Sequence, residues 1–376
     1  MEIWNEGKIK DFADVKGGKR LPKGKKLITE PNLHPYIRIK DLGKGKVLEL
    51  NSDYEYVDDE TQELIAKYIV ETGDILVSVV GTIGLIAIVG ESLDRANQTE
   101  NCDKIINIKG IDRDYLYYYL ISPAGQEEIR RRTVGAVQPK LPLKNVQDIT
   151  VKYPSIGTQQ KIVSILNSVD NKIVVNEQIN RNLSEQAFAL FKEMFPNVNQ
   201  GEHTLGEYLS AVKGKALLSK DAVEGDVPVI AGGLSPTTYH NVANTKAPVL
   251  TISASGANAG YVALWHIDVW SSDSSYIDSN MTENVYFWYV MLKNRQKEIF
   301  DAQTGSAQPH IYPKNIDVLS VAELDGKAVG DYTMQVTPLF ELIGKNIKEN
   351  DRLSELREIL LPKLMSGELE APDMNI

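Results

Sequence analysis

The chain carries one pattern twice. Gly135-Ala136-Val137-Gln138-Pro139-Lys140, followed by Lys144-Asn145-Val146, returns as Gly305-Ser306-Ala307-Gln308-Pro309-His310, followed by Lys314-Asn315-Ile316. Further along, Lys172-Ile173, Asn176-Glu177 and Ile179 return as Asn346-Ile347, Asn350-Asp351 and Leu353, each time within a heptad-like apolar pattern. Such a repeat is far too long for a solenoid unit. It constrains the chain to two domain-sized copies, each ending in a long helix, and so to a pseudo-twofold object with two similar working surfaces.

At 376 residues the chain is long enough for two globular cores plus connecting helices. The single cysteine, Cys102, excludes an internal disulfide and a thiolate zinc cluster, and reads as a small buried apolar residue in a reducing cytoplasm. The opening Met1-Glu2-Ile3-Trp4 lacks the basic and apolar regions of an export signal. The longest apolar run, Ile75 to Val89, is interrupted by glycines, serine and threonine and is too short to span a bilayer. A cytoplasmic protein without membrane contact is expected. The formal net charge of −10 argues against a free-standing, non-specific nucleic-acid binder, because such binding is driven by basic charge and counterion release. The charge is uneven, however. Between Lys8 and Lys26 the chain carries Lys8, Lys10, Lys16, Lys19, Arg20, Lys23, Lys25 and Lys26 against only Asp11 and Asp14. On charge alone a solvated loop is the favoured reading of this run, with a phosphate-contacting loop as the functional one.

Ile75-Leu76-Val77-Ser78-Val79-Val80, Gly81-Thr82-Ile83-Gly84 and Leu85-Ile86-Ala87-Ile88-Val89 read as two apolar strands joined by a tight glycine turn. Pro248-Val249-Leu250-Thr251-Ile252, the stretch Ser253 to Gly260, and Tyr261-Val262-Ala263-Leu264-Trp265 repeat the design. The aromatic runs Tyr115 to Leu120 and Val285 to Tyr289 each open a short amphipathic helix, continued by Gln126 to Arg132 and by Asn294 to Phe300. Aromatic stripes at helical spacing are taken as core rather than as base-stacking platforms.

Pro154 ends the first globular part, and Ser155 or Thr158 can cap a helix running to about Phe195, where Pro196-Asn197 stops it. Along it Ile162, Leu166, Val169, Ile173, Asn176, Asn180, Leu183, Ala187, Leu190 and Met194 alternate in steps of four and three, a coiled-coil seam. Forty helical residues make a rod of roughly 60 Å. The second helix is expected from about Pro338 to Leu361, with Leu339, Ile343, Asn350, Leu353, Leu356 and Leu360 on one face, before Pro362 breaks it. Each helix leaves its own globular copy, so the simplest pairing is antiparallel with the helices as a spacer. Asn176 and Asn350 take equivalent seam positions, where a polar pair fixes register at a cost in stability; two exposed asparagines at the seam's edge is the competing reading.

Catalytic constellations are absent from the sequence. There is no Gly-x-x-x-x-Gly-Lys-Ser/Thr phosphate loop, and the glycines at 81 and 84 or at 256 and 260 sit between strands rather than between a strand and a helix. Histidines at 34, 203, 240, 266 and 310 show no metal-ligand spacing. Ser253 and Ser255 form no nucleophile elbow. No catalytic residue and no metal site is expected. Duplicated halves on a rigid spacer favour a recognition scaffold over an enzyme.

The chain resembles the specificity subunit of type I restriction-modification systems over almost its full length. The most specific stretch is Leu353-Ser354-Glu355-Leu356-Arg357-Glu358-Ile359-Leu360-Leu361-Pro362-Lys363-Leu364-Met365-Ser366-Gly367-Glu368-Leu369. The central stretch with Pro154, Gln159, Ile162, Asp170-Asn171-Lys172-Ile173, Asn176-Glu177 and Ala189-Leu190-Phe191-Lys192 is nearly as good, and both hairpins fit. Ser155, Gly157 and Thr158 stand where the family usually carries a proline and acidic residues, and Leu324 to Gln335 lacks the Pro-x-x-x-x-Gln start of the second helix. The resemblance implies an α/β (α+β) fold: two similar target recognition domains, 1–154 and 197–334, with pseudo-twofold symmetry. They would be joined by two long antiparallel coiled-coil helices, 155–196 and 335–376 with the C-terminal tail.

It also implies that each domain reads one half of a split double-stranded DNA target while the helices set the gap. Such a chain has no catalytic activity; it docks two methyltransferase subunits, which bind S-adenosylmethionine, and can add motor-nuclease subunits. Phosphates need Lys, Arg or backbone amides, and base edges need bidentate donors and acceptors. Lys16, Lys19, Arg20, Lys23, Lys25 and Lys26 are the phosphate candidates of the first domain, with Arg130, Arg131, Lys140 and the Thr82 tip as lesser ones. Lys213, Lys215 and Lys220 form the analogous basic loop of the second, with Asn258, Gln308 and His310 as possible readers. Gln138 and Gln308, shared by both copies, cannot explain two different half-sites and are read as turn-stabilising groups. The specificity subunit of a fused restriction-methyltransferase, a coiled-coil adaptor that binds only proteins, and a methyltransferase in its own right stay open as alternatives.

Overall fold

In the computed structural model, residues 3–305 and 308–371 are described, so Ser306 and Ala307 of the second repeat motif lie outside the described residues. Two compact units result, Met1–Ile173 with Arg352–Ile376 and Val174–Asp351.

The first unit is built on a five-stranded sheet: β1 (Asp14–Gly17), β2 (Val47–Leu48), β3 (Ile75–Ser78), β4 (Ile86–Val89) and β5 (Cys102–Ile106), in the order β1-β5-β3-β4-β2. The hairpin β3-β4 is aliphatic and buried on both faces, which explains its continuous apolar reading rather than an alternating one. Ile75 opposes Ile88 on one side and Ile105 on the other. Helix α1 (Arg113–Ile121) follows, capped by the Asp112 carboxylate on the Tyr115 amide at 2.9 Å. Tyr115 to Leu120 are all buried, so α1 is a core helix on every side rather than an amphipathic one. It shares one core with β3, β4 and the start of the long helix α3 (Ile156–Met194), through Ile162 and Leu166. Between them stands α2 (Pro123–Arg132), whose first position is proline and whose cap is Ser122. The Ser155 hydroxyl accepts from the Thr158 amide at 3.4 Å, which makes Ser155 the cap of α3.

The second unit repeats the plan on a four-stranded sheet, β6 (Val212–Lys213), β7 (Val249–Ser253), β8 (Val262–Trp265) and β9 (Ser274–Asp278), in the order β6-β9-β7-β8. Helices α4 (Val285–Asn294) and α5 (Gln296–Asp301) stand where α1 and α2 do in the first unit. Each unit also has a small three-stranded sheet, centred on Pro35–Ile37 in the first and on Val227–Ile230 in the second. Among the described residues no strand of the second sheet corresponds to β2, which pairs in parallel with β4.

The second long helix, α6, runs from Gly326 to Ser366 and overruns both expected limits. It starts at an Asp325 cap, with the Lys327 amide on the carboxylate at 2.9 Å. It continues through Pro338 because Tyr332, Val336 and Phe340 on either side are buried in the second core, and tertiary packing outweighs a lost backbone bond. It passes Pro362 because Leu361, Leu364 and Met365 are buried in the first core. Gly367, at φ 75°, ends it, with its amide on the Leu364 carbonyl at 3.3 Å. Leu356, expected in the seam, is 43% exposed; Arg357 turns inward instead, its Nη1 on Asp170 Oδ1 at 3.0 Å.

Within the second unit the two helices run antiparallel. Tyr332 donates to the Ala187 carbonyl at 3.0 Å, Asn346 to Asn180 Oδ1 at 2.8 Å, and Asn176 to Asn350 Oδ1 at 2.8 Å and Glu349 Oε2 at 2.7 Å. Asn176 is 1% exposed, so this is a buried polar rung and not an edge pair. Among the described residues no helix is long and apolar enough to cross a membrane, and no group of three or more His, Cys, Asp or Glu could hold a metal ion.

Candidate nucleic-acid interface

In the first unit β1 and β3 end, and β5 begins, on the same side of the sheet, since Gly17 opposes Asp103 and Ser78 opposes Cys102. The basic segment after Gly17 and the hairpin tip after Ser78 therefore leave from one place. The first repeat motif is bound to that place by main-chain bonds. Val79 donates to the Asn101 carbonyl at 2.8 Å and accepts from the Leu141 amide at 2.9 Å. Lys140 closes the motif by pairing with Val134 in both directions, at 2.8 and 2.9 Å. The second unit ties the same knot: Ala254 donates to Asp273 at 3.0 Å and accepts from Ile311 at 2.9 Å, and His310 pairs with Thr304 at 2.8 and 2.9 Å.

The repeated residues explain why the knot can form. Gly135 and Gly305 sit at φ 95° and 92°, and a Cβ there would lie 2.7 and 2.6 Å from the carbonyl oxygens of Gln138 and Gln308, so only glycine closes the turn. Each hairpin base is clamped by a glutamine amide, Gln126 on the Gly84 carbonyl at 3.0 Å and Gln296 on the Gly260 carbonyl at 2.7 Å. Gln138 and Gln308 are exposed, and among the described residues no hydrogen bond of their side chains closes the turn. The glycine and the main-chain bridges hold each turn, and Gln138 and Gln308 are both exposed.

The basic candidates divide by their partners. Lys16, Lys23, Lys26 and Lys140 are exposed and form no ion pair among the described residues. Lys19 lies 5.6 Å from the Tyr68 ring centre. Arg20 bonds Glu100 at 2.6 Å, which raises its pKa further. Lys25 bonds Glu60 at 2.5 Å and reaches Asp58 at 3.4 Å, and its ammonium is likewise held charged by Glu60. Arg130 and Arg131 both pair with Glu127 one turn back along α2. The exposed pairs of Arg20, Arg130 and Arg131 are weak, while the Lys25 side chain is half-buried. Arg130 lines a groove with Gly81, Ile83, Gln126, Gly135 and Pro139, which places it between the hairpin tip and the repeat motif. Thr82 is exposed at the tip, its carbonyl accepting from Ser78 Oγ at 2.6 Å.

In the second unit Lys213 and Lys220 are exposed, while the Lys215 carbonyl accepts from Trp270 Nε1 at 2.8 Å with its ammonium 5.9 Å from that ring. The Asn258 carbonyl closes the hairpin turn by accepting from Tyr261 at 2.9 Å. His310 stacks on Tyr312, centroids 5.9 Å apart and planes 12° apart, and the Lys314 ammonium lies 5.9 Å from the same Tyr312 ring.

Sequence reasoning missed Asn101 and Asp273, which the knot brings beside Val79 and Ala254. Their only local signal is a position just ahead of β5 and β9. Also unremarked was Asp103, one residue inside the sheet end: it is 4% exposed, one carboxylate oxygen has no partner among the described residues, and burial pushes its pKa up to about 6. Its counterpart, opposite Lys213, is Ser275.

The comparisons with known proteins follow this geometry. A family model for the type I restriction modification DNA specificity domain matches residues 1–185. The MjaIX type I restriction enzyme specificity subunit of Methanocaldococcus jannaschii is 23% identical, covering 99% of this chain and 94% of its own length. The putative type I specificity subunit S.MpnORF638P of Mycoplasma pneumoniae is 26% identical over 68% of this chain and 72% of its own. The crystal structure of the type I restriction-modification S subunit from M. genitalium shares the fold, with a TM-score of 0.58, 20% identity, and coverage of 100% of this chain and 97% of that one. The family match over residues 1–185, the relative that spans almost the whole chain and the shared fold all liken this chain to the specificity subunits of type I restriction-modification systems.

Proposed function

We propose that the chain is the DNA-reading subunit of a type I restriction-modification complex, and that each unit takes one half of a bipartite duplex target. The observation that carries this reading is the knot formed twice with identical main-chain bonds and different side chains around it. What the copies share suits what any two half-sites share. Gln138 and Gln308, exposed at equivalent turns, fit the sugar-phosphate backbone together with the free lysines of the basic segments.

The long helices set the unspecified gap, with Asn176 and Asn350 fixing their register. Their outward faces retain exposed apolar residues, Val174, Val175 and Ile179 on α3 and Leu342, Ile347 and Ile359 on α6, which suits docking of two methyltransferase subunits. Those partners hold S-adenosylmethionine and do the chemistry in the cytoplasm, and motor-nuclease subunits can be added to the same assembly; this chain contributes recognition and no catalytic group. Partner surfaces also supply positive charge that a chain of net −10 lacks. Co-expression with the methyltransferase, followed by mapping of modified bases in genomic DNA, tests this reading. A motif of two short blocks at one fixed spacing is expected. Modification that is unchanged when this chain is omitted would overturn it.

A further inference from the structure

The inference rests on the bipartite reading above and concerns which side chains tell the two half-sites apart. A discriminating residue has to sit on the shared knot, reach solvent, and differ between the copies in what it donates or accepts. The shared bonds pair Val79 with Ala254, Val80 with Ser255, Asn101 with Asp273, Val134 with Thr304, Lys140 with His310 and Leu141 with Ile311. Val79, Ala254, Leu141 and Ile311 are buried and apolar, Val80 and Val134 offer no hydrogen bond, and the Ser255 and Thr304 hydroxyls are engaged by Asp273 Oδ2 and the His310 carbonyl. Gln138 and Gln308 are the same residue and cannot discriminate. Two positions remain, and we infer that base reading rests on Asn101 and Lys140 in the first unit and on Asp273 and His310 in the second.

Each side chain has a distinct chemistry at a groove edge. The Lys140 ammonium only donates and matches O6 and N7 of guanine, whereas an Asn101 amide both donates and accepts and matches N6 and N7 of adenine. Neither side chain has a hydrogen-bond partner among the described residues. Asp273 is the most informative, because an exposed carboxylate beside phosphates is repelled unless it accepts from a base amino group, and cytosine N4 is the matching donor. The Ser255 hydroxyl bonds one of its oxygens, Oδ2, which fixes the carboxylate and leaves Oδ1 for the base. His310 is held flat on Tyr312, so its ring edge is oriented in advance.

Selection from a randomised duplex library by the intact complex with its methyltransferase subunit, for wild type and for Asp273→Asn, Asn101→Asp and Lys140→His, tests the assignment. Asp273→Asn is expected to move one position of one block from cytosine towards adenine, with the other block and the gap unchanged. Asn101→Asp makes the reverse change in the other block, and Lys140→His removes a guanine preference there. Each switch is expected to be roughly ten- to a hundredfold at that position. The untouched block serves as an internal control for folding. Lys140→His, at an exposed position with no ion pair, keeps the test decisive if an acidic exchange disturbs the knot. Unchanged sequence preference in the variants, with affinity lowered uniformly, overturns the assignment and marks a backbone role. A wild-type complex that enriches no two-block target overturns the underlying bipartite reading instead.

Discussion

The two units fasten their recognition sheets to the long helices by different chemistry. In the first unit a polar network is added to the apolar packing of Ile162, Leu166, Leu361 and Leu364. The Lys46 ammonium lies 2.6 Å from Asp114 and bonds Asn167 of α3, the Tyr118 hydroxyl donates to Asp170 at 2.6 Å, and Arg357 of α6 completes the network on Asp170. In the second unit the fastening is aromatic. Tyr286 stacks on Phe340 with centroids 4.7 Å apart, Tyr289 meets the same ring edge-on, and Phe191 packs on Phe287 and Tyr332. His266 is pressed against Gly344, where a Cβ would come within 2.8 Å of His266 Cβ and Cγ, and burial lowers its pKa to about 4, so it is neutral. The duplicated architecture therefore does not require duplicated contacts. A polar network demands complete satisfaction and responds to pH, whereas ring packing responds to volume.

Four substitutions sharpen or break that contrast. Phe340→Ala is expected to be the most damaging, at about 3–5 kcal/mol, confined to the second unit when hydrogen exchange is followed unit by unit; equal loss in both units would show that the fastenings are not independent. Asp103→Asn tests a difference at the sheet ends, where the second unit has Ser275. Burial raises the folded pKa of Asp103 to about 6, above its unfolded value, so wild-type stability falls as pH rises between the two. The amide should therefore stabilise the first unit by up to about 3 kcal/mol at pH 8 and by nothing below about pH 4. A pH-independent difference in denaturant midpoints would contradict the burial argument.

Asp170→Asn leaves Arg357 without its charge partner and weakens the Tyr118 bond. About 2 kcal/mol is expected, less than for a fully buried pair because Arg357 is partly exposed. The second unit's exchange rates should not move. Tyr118→Phe deletes one hydroxyl from the same network and should cost about 1 kcal/mol, and the double variant with Asp170→Asn should cost less than the sum of the two. Strict additivity in that cycle would mean the two residues do not act as one network.

The sequence revealed the hairpins, the aromatic core helices and the paired long helices because each is a local pattern of apolar spacing, glycine turns and caps. It misjudged α6 at Pro338 and Pro362, since a proline's local cost is visible in sequence while the burial of Phe340 and Leu364 that outweighs it is not. The basic run showed its charge but not its partners: Glu60 and Glu100, which bond Lys25 and Arg20, are distant in the chain. Asn101 and Asp273 were hidden for the same reason. Only the pairing of β3 with β5, and of β7 with β9, carries them to the repeat motifs.

The most direct test of the central claim, one main-chain frame presenting two different sets of readers, is duplex-library selection by the wild-type complex at a stated salt concentration. The account predicts two blocks of different sequence separated by one gap length. Two identical blocks, or a single continuous one, would contradict it.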